Sequence, residues 1–357
     1  MKLPSDLAEK QAPKKSRAHY ILRTAGLLLG IFLIYWFASK SNLSGIWDQL
    51  KLINVRFSLL IAVTFIAYFL VTMAWKLSFY RFPGHISTAL LFIIRQSGES
   101  LAQINPTNVI AGETLKAILL KRKNIPYKDS IVSLTISRFL VLFSAITLIM
   151  IGVYLFFDRL KFMAGTASLI AMIALMFALL VFLLYRLGSG KGILSMPMAL
   201  LSLINRRFPH LTGLPGTIEK MKEADEELID FYKTKKLNFI IAFMLSFTSW
   251  LMGASEFYVI LYLLGLQASF LSCIAIEVGV MVFKGLGAFV PGQIGIEEYA
   301  SKLMLEFVQV PGSGVWVTVS ILRRARQLFW IGVGFIAFLI IIRNTGGSKD
   351  GNPVYNS

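Results

Sequence analysis

Asn105-Pro106-Thr107-Asn108-Val109-Ile110-Ala111-Gly112-Glu113 and Val290-Pro291-Gly292-Gln293-Ile294-Gly295-Ile296-Glu297-Glu298 are two polar stretches set inside apolar sequence. Each interrupts a hydrophobic run with proline, then glycine, then an acid. Each precedes a long apolar segment carrying arginine: Arg138 follows Glu113 by 25 residues, and Arg323 follows Glu298 by 25. Proline removes a helical hydrogen bond, and glycine tolerates the backbone angles of a break. Broken apolar segments at matching places in two halves point to a polar site at membrane depth.

Composition sets the surroundings. The chain is 56% hydrophobic and 15% charged, with a mean hydropathy of +0.69. A soluble protein of 357 residues has no interior large enough to hide that surface. Several runs reach the roughly 20 residues that cross a bilayer. The sequence therefore predicts an integral membrane protein. The net charge of +17 sits in loops between apolar runs, which argues for topology signals and anionic lipid rather than nucleic acid. The single cysteine, Cys273, excludes an intrachain disulfide.

Basic residues give the orientation. Lys2, Lys10, Lys14, Lys15, Arg17 and Arg23 place the N-terminal tail, residues 1–20, in the cytoplasm. Spans are expected at 21–38, 57–75, 131–157, 166–185, 237–263 and 315–342. The stretch 86–120 holds Arg95, Glu99, Asn105, Glu113 and Lys116 and ends in the basic loop at 121–128. It reads as a re-entrant hairpin turning at Pro106, with Gly112 beyond the break. The stretch 270–310 holds Glu277, Lys284, Pro291, Gly292, Gly295, Glu297 and Glu298 and reads as a second hairpin. Backbone breaks at that depth require a protein or water-filled surrounding.

The fold class expected is thus an all-α polytopic membrane protein. It has about six spanning helices and two oppositely directed re-entrant hairpins, arranged as inverted repeats. The transmembrane domain covers 21–342, with halves at 57–186 and 237–342. A cytoplasmic linker, 187–236, joins them, and a cytoplasmic tail covers 343–357. Within the linker, Ile218, Met221, Leu228 and Tyr232 recur at helical spacing among charges, predicting an amphipathic helix at the cytoplasmic surface.

A charge at mid-bilayer costs about 2.5–3.5 kcal/mol and so needs a partner or water. Local spacing offers partners: Glu113 with Lys116, Arg95 with Glu99, Glu298 with Lys302, and Glu277 with Lys284 two turns away. Such pairs would serve only to hold the bundle. Alternatively, they line a polar path between the hairpins. Glu113, Arg138, Glu297 and Arg323 lead that reading, joined by Asn105, Lys116, Glu277, Lys284, Gln293 and Glu298. Arg323, Arg324 and Arg326 lie within four positions of one helix. They either snorkel to an interface or build a cationic groove for phosphate. Glu256, near the end of its apolar run, is expected at a wet interface.

Catalytic signatures are missing. The three histidines fall in tails or loops, and no metal-ligand spacing, phosphate loop or nucleophile elbow occurs. No cofactor or metal is called for, and the chain is expected not to be an enzyme.

At Asn105-Pro106 through Gly112-Glu113, at Arg138, and at Pro291-Gly292-Gln293-Ile294-Gly295 with Glu297, the chain resembles the lysylphosphatidylglycerol synthase transmembrane-region family, the flippase-like domain proteins. The resemblance covers about 20–342. It implies the lipid-translocating half of the bifunctional members, without their aminoacyltransferase domain. Two positions depart from the family pattern. Thr107, Asn108, Val109 and Ile110 stand where a basic residue is frequent, and Ser137 stands where an acid often precedes Arg138. The headgroup is left open by these changes.

The function expected is binding, and movement across the cytoplasmic membrane, of an anionic or zwitterionic phospholipid. Rival readings are a membrane scaffold recruiting a lipid-modifying enzyme and an intramembrane lipid-modifying enzyme using Glu113 or Glu297. A second copy of the chain or a separate lipid-modifying enzyme are the candidate protein partners.

Overall fold

A computed structural model describes residues 51, 53–82, 84–104, 109–158, 166–193, 198, 202, 214–287, 293, 295–312 and 314–345. The expected span at 21–38, the tails, and the break residues Asn105, Pro106, Pro291 and Gly292 lie outside the described residues. What is described is helical throughout. After a short 3-10 turn, Asn54–Arg56, come α1 (Phe57–Leu77), α2 (Thr88–Ile104), α3 (Val109–Lys121), α4 (Tyr127–Leu155) and α5 (Thr166–Ser189). Then follow α6 (Leu214–Thr234), α7 (Lys236–Leu263), α8 (Phe270–Leu286), α9 (Ile296–Phe307) and α10 (Val315–Thr345).

Among the described residues, four segments are long and apolar enough to cross a membrane: Asn54–Leu77, α4, α7 and Val315–Ile341. Of the six expected spans, 57–75, 131–157, 237–263 and 315–342 coincide with these. The run in α5 counts as a shorter apolar stretch, Ile173–Ser189. Outward faces of these helices carry exposed Phe65, Phe69, Leu142, Phe177, Ile240 and Phe335, as a lipid-facing surface requires.

The two interrupted stretches are pairs of antiparallel helices. In α2–α3, Gly98 and Ala102 meet Gly112, and Glu99 meets Lys116. In α8–α9, Gly279 meets Met304, Phe283 stacks edge-on against Tyr299, and Gly287 meets Ile296. The first pair is close because glycine lets it be: a Cβ built on Gly112 would stand 2.6 Å from the Gly98 carbonyl oxygen. In the second pair, Gly295 holds a φ of +85° just before α9, a conformation glycine adopts without steric cost. Gly287 is needed for close approach, whereas Gly285 meets nothing within 4 Å.

Both pairs sit in one bundle but open at opposite ends. α1 and α7 run antiparallel, with Leu60 clustered beside Phe257 and Leu261, and Ala74 beside Phe239 and Ala242. The open end of α2–α3 packs Ile86, Leu91 and Leu120 against Trp75, Leu134 and Ile341. The open end of α8–α9 packs Cys273 and Leu305 near Ile53, Leu60 and Val319. Polar hooks tie the bundle across its middle. Trp330 Nε1 donates to Thr64 Oγ1 at 2.8 Å, and Ser100 Oγ donates to the Trp330 carbonyl at 3.2 Å.

The amphipathic helix is present as α6, and the described part of its apolar face packs into the bundle. Leu228 and Phe231 are buried with Ile136, Leu140, Leu187 and Phe239. There α4, α5 and α7 take its apolar side. Its acidic side is latched to the loop after α1. Arg81 forks to Glu227 (2.7 Å) and Asp230 (2.6 Å), and Tyr80 donates to both carboxylates. The bond from Arg81, then that from Tyr80, holds the Asp230 carboxyl below its ordinary range.

Overpacking a close contact between backbones costs about 1–3 kcal/mol. Gly112→Ala should therefore lower the thermal stability of the detergent-purified protein by that amount. Gly332→Ala, which meets nothing within 4 Å, should be neutral or stabilising by up to about 1 kcal/mol. Equal melting temperatures for the two variants would contradict the contact.

Candidate functional site

Charged side chains from both antiparallel pairs converge on one interior cavity of about 290 Å³. It is walled by α1, α2, α3, α4, α7, α8 and α10. Six cations line it: Arg95, Lys116, Arg138, Lys284, Arg323 and Arg326. Four carboxylates face them: Glu99, Glu113, Glu256 and Glu277. The lining thus carries a formal surplus of two positive charges. Tyr68, Trp75 and Trp250 complete the wall with aromatic surface.

On the first side the charges form a closed group of four. Lys116 Nζ donates to Glu99 Oε1 at 2.6 Å and to Glu113 Oε1 at 3.0 Å. Arg138 binds the same two oxygens, with Nη2 at 3.0 Å from Glu99 and Nε at 2.6 Å from Glu113. One helical turn separates Glu113 from Lys116, so the sequence alone puts them together. Glu99 and Arg138 join because α2 and α4 flank α3.

On the second side the charges form a chain. Lys284 lies 3.7 Å from Glu297, and Glu297 lies 2.8 Å from Arg323. Arg323 is 3.7 Å from Glu256, which lies 2.8 Å from Arg326. Arg323 also stacks over the Phe257 ring at 4.3 Å, and Arg326 donates to the Tyr68 hydroxyl at 3.2 Å. Buried arginine suits this role, since its planar fork reaches several acceptors at once.

Of the residues predicted from sequence, Glu113, Lys116, Arg138, Glu277, Lys284, Arg323 and Arg326 line the cavity. Glu297 stands directly behind, bound to two of its cations. Arg324 and Glu298 do not reach it. They pair with each other at 2.5 Å in a separate crevice with no water-sized space, where Arg324 also binds Gln327. Arg323 and Arg326, three residues apart, share a face, whereas Arg324 points elsewhere because each helical step turns about 100°. Gln293 serves the backbone, donating to the Lys284 carbonyl at 3.1 Å. Glu298 accepts from the Gly295 N–H at 2.8 Å, capping the start of α9. The dipole end of α9 is therefore met by the helix's own acids, Glu297 and Glu298, rather than left for a ligand.

Three expected pairings give way to others. Arg95 is not bridged to Glu99. It binds Gln96 Oε1 at 3.0 Å and lies 5.0 Å from the centre of the Tyr68 ring. Lys302 turns to Glu306 at 4.0 Å, since Glu298 is held by Arg324. Lys284 takes Glu297 rather than Glu277. The arginines do not snorkel either: Arg323 and Arg324 are 5% and 7% exposed. Glu256 is the main residue missed. At 2% exposure it is buried between two arginines rather than placed at a wet interface. Position along an apolar run gave no sign of that, because the depth of Glu256 depends on where α10 packs.

A bundle of membrane-length helices around a charged interior cavity defines this as a polytopic membrane protein with a polar site inside. The chain belongs to the family of the lysylphosphatidylglycerol synthase TM region, which matches residues 23–334. No curated protein and no solved structure matches it.

Removing one member of a buried ion pair costs about 3–5 kcal/mol, because the other charge stays behind. Arg323→Leu should lower thermal stability by that amount, and the double variant Arg323→Leu with Glu297→Leu should recover part of the loss. A single variant that melts with the wild type would show that the pair holds nothing together.

Proposed function

We propose that this protein binds the headgroup of an anionic or zwitterionic phospholipid in the charged cavity and moves the lipid across the cytoplasmic membrane. The observation carrying the reading is a charged cavity between two antiparallel helix pairs, inside a bundle whose outer faces are apolar. In this reading the pairs are re-entrant hairpins of an inverted repeat, entering from opposite sides. Headgroup charge is favoured by the surplus of cations. Arg95 in particular has no salt bridge among the described residues; its partners, Gln96 and the Tyr68 ring, leave its charge for a phosphate.

A route for the acyl chains is supported by a groove of about 430 Å³ between α3 and α4. Its wall includes apolar Ile131, Phe139 and Leu142, and it shares Glu113, Leu134 and Arg138 with the cavity. A headgroup inside would leave its tails in that groove, in contact with lipid. The protein acts in this reading as a carrier and not as an enzyme. Family membership supports a lipid-related role, since the TM region it shares is that of a lipid-modifying protein.

In proteoliposomes, the purified protein should move labelled phosphatidylglycerol between leaflets. Glu113→Gln and Arg138→Gln should slow that movement more than about tenfold, equivalent to ~1.4 kcal/mol, while the protein level stays near wild type. Wild-type rates in both variants would reduce the group of four to a structural role.

Orientation is tested separately. Cys273, the sole native cysteine, is buried, so introduced thiols report cleanly. Asp158→Cys should label from outside intact cells, and Lys123→Cys only after the membrane is opened. Labelling of Lys123→Cys from outside would overturn the opposed hairpins.

A further inference from the structure

Glu277 is the carboxylate of the cavity with the least counter-charge. Glu99 and Glu113 each bind Lys116 and Arg138 within 3.0 Å. Glu297 and Glu256 each hold an arginine at 2.8 Å. The sole ion pair of Glu277 among the described residues is with Arg323 Nη2 at 4.0 Å, and that nitrogen is already 2.8 Å from Glu297. Glu277 is 6% exposed, and its Oε2 is buried without a hydrogen-bond partner. A glycine, Gly253, stands against its carboxylate, so α7 offers carbon and no donor there.

The surroundings are complete enough to judge the balance. α7 contributes Glu256, α9 contributes Glu297, α10 contributes Arg323 and Arg326, and Lys284 lies two turns along α8 itself. α4 meets α8 through Gly152 and Val278, which are uncharged. Two of the three carboxylates thus claim the two arginines at short range, and Glu277 is left with the longest contact. A buried carboxylate whose one ion pair is as long as 4.0 Å has little to offset its desolvation, so of the acids in the cavity it is the one best placed to take up a proton.

We infer that Glu277 is a proton-binding site of the cavity, loaded together with the anionic headgroup; the coupling rests on the headgroup reading above. The step is one proton from water added to the carboxylate, giving the neutral acid, with no other bond made or broken. Its negative charge is then removed from beside Arg323, which stays on Glu297, so the cavity presents more net positive charge to the phosphate. By linkage, phosphate in the cavity in turn favours the proton on Glu277. An anion and a proton loaded together add no net charge to the buried site.

Two measurements on the full-length protein in detergent test this. At mildly acidic pH the infrared spectrum should contain the carbonyl band of a protonated carboxylic acid that fades as pH rises, and Glu277→Gln should lose it. No such band in wild type, or a band that persists in the variant, overturns the inference. Binding of short-chain phosphatidylglycerol should tighten as pH falls, by up to about tenfold per unit for one linked proton. Glu277→Gln, which mimics the neutral acid in shape, should bind with the low-pH affinity at every pH. A variant that keeps the wild-type pH profile sinks the coupling. Lack of lipid binding at any pH defeats the headgroup reading and the coupling with it, while the infrared band still decides whether Glu277 holds the proton.

Discussion

Charge buried among apolar helices must be met by opposite charge or water, and this requirement organises the whole bundle. An uncompensated charge costs several kcal/mol, comparable to a sizeable part of a protein's net stability. Here seven helices place charged side chains at one centre. Helix positions are therefore not set by apolar packing alone. α2 and α4 are bound to α3 through Glu99, Lys116, Glu113 and Arg138. α7, α9 and α10 are bound through Glu256, Glu297, Arg323 and Arg326.

The two sides meet the requirement differently. In the first, two carboxylates and two cations close on themselves, each cation reaching both acids. Such a group tolerates small movements, since losing one contact leaves another. In the second, charges alternate along a chain from Lys284 to Arg326, so a disturbance at one link passes to the next. A chain with a spare carboxylate beside it, Glu277, is the arrangement better suited to respond when a charged ligand arrives. The latch of Tyr80 and Arg81 on Glu227 and Asp230 lies apart from both. It fixes α6 to the loop after α1 and lends the bundle a firm end outside the apolar region.

Sequence alone determined that the chain is a helical membrane protein, since apolar runs of spanning length admit no other regular structure. It also marked where helices break, because proline and glycine act on the backbone locally. Glu113 and Lys116 were legible as a pair, being one turn apart. Family membership was legible in the same break motifs, and the match over residues 23–334 agrees. The tertiary structure alone decided which charge meets which. Arg95 and Glu99 share a helix face yet do not bridge, because Lys116 and Arg138 arrive from other helices and take Glu99. Arg323 and Arg324 are neighbours in sequence, but only Arg323 faces the cavity, because α7 and α8 pack on that side. Glu256 gave no sign of its burial, since depth follows from the packing of α10 rather than from place along a run. Spacing fixes which residues share a face, whereas the choice of partner depends on the helix opposite, which no local pattern encodes.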